Sequence, residues 1–173
     1  MDTIVLDDFV SDDFLFNIHK FFDTAPWIYK NEANRNAFGV GSHKFFIWLP
    51  PDNRPEDHWL DFLWSCLSDH LNIKGDIKEI HANLQVFGQQ GTWHKDFYGN
   101  GNTKALLYYP VLQWNQEWGG SLDIREDDTD EYVSYQYVPG RIIYMDGSKE
   151  HRANAPLVKN KGRISLVFNI EEK

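Results

Sequence analysis

Apolar positions change their spacing once along this chain, near residue 76. Before that point they recur at helical intervals. Phe14, Leu15, Ile18, Phe21 and Phe22 fall on one stripe. Ser11 precedes it as an N-cap, and Asp12 and Asp13 sit in the first turn, where the helix dipole favours acids. Pro26 ends this segment. A second stripe, Trp59, Leu60, Leu63, Cys66, Leu67 and Leu71, predicts a second helix. Pro55 suits its first position, with Glu56 and Asp57 behind it, and Gly75 is expected to close it. Both helices read as packing supports. Short strands are expected at 3–6, 27–29 and 45–49.

From Asp76 onward apolar residues alternate or run together over short stretches, which is a strand pattern. Strands are expected at 77–87, 105–111, 121–124, 132–138, 141–145 and 162–170. Turns fall at Gly88–Gly91, Trp118-Gly119-Gly120, Pro139-Gly140 and Asp146-Gly147-Ser148. The acidic run from Glu126 to Glu131 reads as a solvated hairpin tip. The fold class that follows is α+β, mainly β: a β-barrel or double-sheet jelly roll on helical support. Helical support covers 1–75 and the β core 76–173, in one domain of 173 residues.

Composition narrows the function. Apolar residues make up 42% and aromatics 16%, with seven Trp, enough for a buried core. The formal net charge of -9 disfavours general nucleic-acid binding. A single Cys, Cys66, excludes an internal disulfide and fits a reducing compartment such as the cytoplasm. It lies on the apolar stripe and reads as core. Met1 to Asp8 carries acids, so no signal peptide is expected there. No stretch approaches the ~20 apolar residues of a membrane span.

Candidate chemistry centres on Trp93-His94-Lys95-Asp96-Phe97. On an extended strand, His94 and Asp96 project to one face, and Lys95 points away. An imidazole and a carboxylate joined by a second His form the three-cornered site of non-haem ferrous iron. His151, after the Asp146-Gly147 turn, is the candidate third ligand. On the last strand Arg163 and Ser165 share a face. Arg163 sits in an otherwise apolar strand, so an inward guanidinium needs an anion there; a dicarboxylic cosubstrate would supply one. His19, His43, His58, His70 and His81 show no partner pattern. Trp93, Trp114 and Trp118 either belong to the core or stack on a substrate. Arg152 either lines the mouth of the site or lies on the surface.

His94-x-Asp96, His151 and Arg163-x-Ser165, in that order, resemble the iron(II)/2-oxoglutarate-dependent dioxygenase superfamily. Leu106-Leu107-Tyr108-Tyr109-Pro110, Glu117-Trp118-Gly119-Gly120-Ser121-Leu122, Pro139-Gly140-Arg141 and Gly162-Arg163-Ile164-Ser165-Leu166 are similar to its prolyl 4-hydroxylase-like branch. The likeness covers residues 77–170. It implies a double-stranded β-helix. It implies that His94, Asp96 and His151 bind Fe(II), and that Arg163, with Ser165 assisting, holds the distal carboxylate of 2-oxoglutarate. Tyr109, rather than its neighbour Tyr108, matches a tyrosine that bonds the same carboxylate. Prolyl hydroxylases proper often carry Lys where Arg163 stands. The loop from Gly88 to Trp93 is shorter here, which leaves a second family tyrosine without a counterpart.

The implied reaction hydroxylates a C–H bond with dioxygen and releases succinate and carbon dioxide. Ascorbate is an implied accessory cofactor. The implied substrate is a small molecule or peptide, with a prolyl or other amino-acid side chain as target. Two other readings remain: a cupin-like metal protein with a different reaction, and a non-catalytic binding domain. Arg163 discriminates, because without a carboxylate partner it has no role.

Overall fold

The computed structural model describes residues 2–31, 45–50, 58–96, 102–126 and 130–173. In chain order the elements are β1 (Ile4–Leu6), α1 (Asp12–Thr24), β2 (Ile28–Asn31), β3 (Phe45–Trp48), α2 (His58–His70), β4 (Gly75–Gln85) and β5 (Thr103–Tyr108). A short 3-10 turn (Gln116–Trp118) leads to β6 (Leu122–Arg125), β7 (Tyr132–Tyr135), β8 (Ile142–Asp146), β9 (His151–Ala153) and β10 (Arg163–Glu172).

Local sequence explains the helix ends. The Ser11 hydroxyl accepts a hydrogen bond from the Phe14 backbone N–H at 3.3 Å, the expected cap of α1. The C-terminal end of α2 departs from expectation. Gly75 does not close it; the helix stops at His70, and Asn72 takes the left-handed turn at φ 51°. The Ile73 N–H then reaches back to the Ser68 carbonyl at 2.9 Å. Asn tolerates this conformation because its short amide can bond locally, so Gly75 is free to begin β4. The expected start at Pro55 lies outside the described residues.

Strands pair in the order β1-β8-β5-β10-β4-β3-β2 in one antiparallel sheet and β7-β6-β9 in a second. Both helices cover one face of the larger sheet. Phe21 and Phe22 meet Trp48 at 5.1 and 5.5 Å between centroids, and Trp64 stacks on Phe168 at 5.9 Å. Leu60, Leu63, Leu67 and Phe168 are fully buried in this layer, each contributing about 1.5–3 kcal/mol. Phe168 therefore sends Ile164, Leu166 and Ile170 of β10 toward the helices, and Arg163, Ser165, Val167 and Asn169 toward the other side.

Register extends that inner face across the sheet, because residues paired on antiparallel strands share a face. Arg163 pairs with Gln85, Ser165 with Asn83, Val167 with His81 and Asn169 with Glu79. On the other side Val167 pairs with Leu107, and Leu107 with Ile143. The smaller sheet faces this surface and contributes His151, paired with Ile124. The result is mainly β, a jelly roll as the strand pattern allowed and the double-stranded β-helix that the resemblance implied. β5 ends at Tyr108, short of the expected 111, since Pro110 has no N–H for the ladder. β10 runs further than expected, to Glu172.

Candidate metal centre

His94 and His151 face each other across the seam between β9 and the segment before residue 97. Each backbone N–H bonds the other residue's carbonyl, at 3.0 and 2.9 Å. Their rings lie 4.4 Å apart. The Asp96 N–H bonds the Gly147 carbonyl at 2.8 Å, which brings the carboxylate beside the two rings. Gly147 permits this approach: a Cβ there would meet Thr103 Cγ2 at 3.0 Å and Asp96 Cβ at 3.4 Å.

Tautomers are fixed by the main chain. His94 Nδ1 lies 2.8 Å from the Thr92 carbonyl, and His151 Nδ1 lies 2.9 Å from the Lys149 carbonyl. A carbonyl oxygen only accepts, so each Nδ1 carries a proton, and Nε2 is the nitrogen through which each ring can ligate. Burial, and then the neighbouring His94, holds the His151 imidazole below its ordinary pKa and hence neutral. The Nε2 atoms stand 3.9 Å (His94) and 3.6 Å (His151) from the Asp96 carboxylate oxygens. Two ligands about 2.1 Å from one ion are separated by at most about 4.2 Å, so both pairs fit around a shared cation. One ligand atom from each of the three residues lies within 4.8 Å of the others. Two imidazoles and one carboxylate, with no fourth protein ligand among the described residues, are the donor set of a facial non-haem iron site.

Arg163 lies fully buried on the inner face of the larger sheet. Its Nε donates to the Gly120 carbonyl at 2.7 Å, Nη1 to Gln85 Oε1 and Ser165 Oγ at 3.2 Å each, and Nη2 to the Tyr109 hydroxyl at 3.4 Å. The guanidinium also sits over the rings of Tyr109 and Tyr137, 5.2 and 5.1 Å from their centroids. No carboxylate among the described residues is within ion-pair distance of it. Gly120, at φ 83°, lets its strand pass this close: a Cβ would meet Trp114 Cζ2 at 3.2 Å and Arg163 Cδ at 3.5 Å. Burial raises the pKa of the Tyr109 phenol, opposed by Arg163, so its hydroxyl stays protonated and available as a donor.

The structure thus brings His94, Asp96 and His151 into one cluster, and Arg163, Ser165 and Tyr109 into a second. Tyr108 stands apart. It pairs with Leu166 on the helix side of the sheet, with its hydroxyl buried and lacking a hydrogen-bond partner among the described residues. Lys95 points outward and is exposed. Trp93 turns away from the cluster, between the guanidinium groups of Arg125 and Arg152, each 4.5 Å from its ring. Arg152 pairs with Asp123 at 3.0 Å instead of lining the mouth. Trp114 packs on Tyr137 at 4.6 Å and closes the Arg163 end.

Two inner-face residues were not assigned to the site from the sequence: Gln85, which passed unmentioned, and His81, which showed no partner pattern. Gln85 bonds Arg163, and His81 lies where the Asp96 charge reaches it, with a buried Nδ1 that has no hydrogen-bond partner among the described residues. Their signal was the i, i+2 spacing of Glu79, His81, Asn83 and Gln85 on one strand face.

The family model described as the 2OG-Fe(II) oxygenase superfamily matches residues 81–171, more than half of the chain. The chain belongs to that superfamily. The matched region contains both residue clusters, and an Fe(II)- and 2-oxoglutarate-dependent oxygenase is the enzyme class it defines. Solved structures agree on the fold of this oxygenase. A Trichoplax adhaerens prolyl hydroxylase, in complex with a hypoxia inducible factor oxygen degradation domain peptide fragment, superposes with a TM-score of 0.74 at 15% identity, covering 98% of this chain and 83% of that one. A Pseudomonas putida prolyl-4-hydroxylase gives 0.69 at 16% identity, covering 99% and 92%. HygX from Streptomyces hygroscopicus, with nickel and 2-oxoglutarate bound, gives 0.71 at 9% identity, covering 99% and 83%. A comparison with curated proteins found no match. Among the described residues no helix is long and apolar enough to cross a membrane.

Proposed function

We propose that His94, Asp96 and His151 hold Fe(II) in this oxygenase, and that Arg163, Tyr109 and Ser165 grip the distal carboxylate of 2-oxoglutarate. The observation that carries this reading is the buried guanidinium of Arg163, with no acid partner among the described residues, on the face of the larger sheet that looks toward the sheet carrying His151. A buried cation without an anion is costly, and a diacid cosubstrate supplies the missing charge. The Tyr109 hydroxyl accepts from Arg163 and keeps its own proton to give to a carboxylate. Ser165 provides a third polar contact at the same end.

Loaded with iron and the oxo acid, such a site uses dioxygen to convert 2-oxoglutarate to succinate and carbon dioxide and a C–H bond to C–OH. The chain's own part is geometric. The main-chain carbonyls of Thr92 and Lys149 hold both imidazoles with Nε2 toward the metal. Arg163 sets the depth at which the oxo acid lies. Leu107, Ile143 and Val167 keep the inner wall apolar and exclude water.

The proposed substrate is an amino-acid side chain, prolyl or other, in a peptide or free. The fold shared with a prolyl hydroxylase described in complex with a peptide fragment supports this. The test is succinate release, measured with Fe(II) and 2-oxoglutarate over a panel of peptides, amino acids and nucleosides. Stimulation by a peptide or amino acid is the expected result. Stimulation by nucleosides alone overturns the substrate proposal. Absence of a visible charge-transfer band with Fe(II) and 2-oxoglutarate under argon overturns the metal site itself.

A further inference from the structure

Gln85, on the inner face, has both polar atoms of its side chain hydrogen-bonded. It is 1% exposed and stands directly opposite Arg163 in the β4–β10 register. Its amide nitrogen donates to two main-chain carbonyls, Gln89 at 2.9 Å and Ala153 at 3.2 Å. A flipped amide would set its oxygen against both carbonyl oxygens. The amide orientation is therefore locked, and the oxygen must face Arg163, which donates to it at 3.2 Å.

A guanidinium has five N–H groups. In Arg163 the Nε proton goes to Gly120, and the two Nη1 protons go to Gln85 and Ser165. Only the Nη2 edge remains, beside the Tyr109 hydroxyl. Gln85 thus decides which edge of the cation is left for a ligand. The same amide reaches Ala153, two residues after His151 on β9. One side chain ties the cation to the strand that carries a candidate metal ligand.

We infer that Gln85 is a positioning residue that makes this site select a dicarboxylic 2-oxo acid over a monocarboxylic one. The inference rests on the reading of Arg163 as the carboxylate anchor. It adds that the anchor's aim, and its distance from the metal, are set by a neutral amide. A purely structural role would differ: Gln85 would only hold the 86–90 loop to the end of β9. Gln90 does that as well, donating to the Asn154 side chain and accepting from the Ala155 N–H at 3.0 Å, and the structure gives it no bond to Arg163.

The experiment titrates the Fe(II)-loaded protein under argon with 2-oxoglutarate and, separately, with 2-oxobutyrate, which has the same chelating end but no distal carboxylate. The charge-transfer band reports binding. Wild type is expected to prefer 2-oxoglutarate. Gln85→Leu is expected to weaken 2-oxoglutarate roughly 10-fold, the loss of one hydrogen bond to a charged group, and to leave 2-oxobutyrate unchanged. Gln85→Glu, which sets an acid against Arg163, is expected to abolish the preference. Gln90→Ala is expected to lower the melting temperature without changing the preference. Equal weakening of both acids by Gln85→Leu, or an intact preference in Gln85→Glu, overturns the inference. If Gln85→Leu fails to fold, Gln85→Glu and Gln85→Asn decide the question on the same readout. A wild type with no preference refutes the anchor reading itself. Loss of preference in Arg163→Met, with an intact preference in Gln85→Leu and Gln85→Glu, refutes only the role of Gln85.

Discussion

Replacing Arg163 with Met separates the fold's interest in this side chain from the ligand's. In the folded chain the guanidinium is fully buried, holds four hydrogen bonds and lies over two tyrosine rings. Met fills a similar volume. It leaves the Gly120 carbonyl and Gln85 Oε1 without this donor, at about 1–3 kcal/mol each. It also removes a buried charge that has no acid partner, a gain of similar size. The net change in unfolding free energy is expected to stay within about 2 kcal/mol, read by urea denaturation of the metal-free protein. Cosubstrate binding has no such compensation. Losing the cation from a buried carboxylate contact costs about 2–5 kcal/mol, or roughly 30- to 5,000-fold in affinity. Thermal shift gives the assay. At 100 times its dissociation constant, 2-oxoglutarate adds about 2.7 kcal/mol to wild type. For a chain of this size that raises the melting temperature by roughly 5–10 °C. At the same concentration Arg163→Met should gain less than about 1 kcal/mol. A variant that binds 2-oxoglutarate within about threefold of wild type would refute the electrostatic argument.

Three further outcomes follow from the same geometry. Asp96→Ala removes the carboxylate between two imidazoles and should abolish succinate formation and iron retention; unchanged turnover rules out its assigned role. Burial holds the His81 and His151 imidazoles below their ordinary pKa. The unfolded chain therefore binds protons first as pH falls below about 6.5, and the metal-free protein should lose stability from there downward. Melting curves from pH 8 to 5 check this, and a flat profile contradicts it. Leu67→Ala, at a position with 0% exposure in α2, should cost about 2–5 kcal/mol by denaturation while leaving the visible band of the loaded site in place.

Much of the site was legible because its residues are adjacent or paired along strands. His94 and Asp96 two apart, and Arg163 and Ser165 two apart, share faces in the sequence and share them in space. His151 was placed by the turn before it. Tyr109 was preferred over Tyr108 through the resemblance, and in the structure it is Tyr109 whose hydroxyl meets Arg163. Other features were not readable, for distinct physical reasons. The end of α2 depends on a left-handed Asn72, and Gly75 offered a stronger composition signal for the same event. Arg152 and Trp93 were placed by the outer ladder of β6 and β9, where Asp123 and Arg125 engage them. That cross-strand pairing has no signature within either segment.

β4 shows where binary patterning itself becomes ambiguous. Ile80, Ala82 and Leu84 alternate with Glu79, His81, Asn83 and Gln85, and alternation by itself assigns the polar set to water. Here the apolar set faces the helices, and the polar set faces the space between the two sheets. Gln85 is 1% exposed, and the Nδ1 of His81 is buried. A strand of this kind is stable only if its inward polar groups find partners, and Gln85 finds them in Arg163, Gln89 and Ala153. The two readings predict different tolerance to substitution. A water-facing glutamine would accept Glu with little change in stability or binding. An amide locked against a buried guanidinium would trade its neutral bond for an ion pair and consume the charge that a diacid needs. The sequence period is the same in both cases, and what distinguishes them is the unpaired cation on the neighbouring strand.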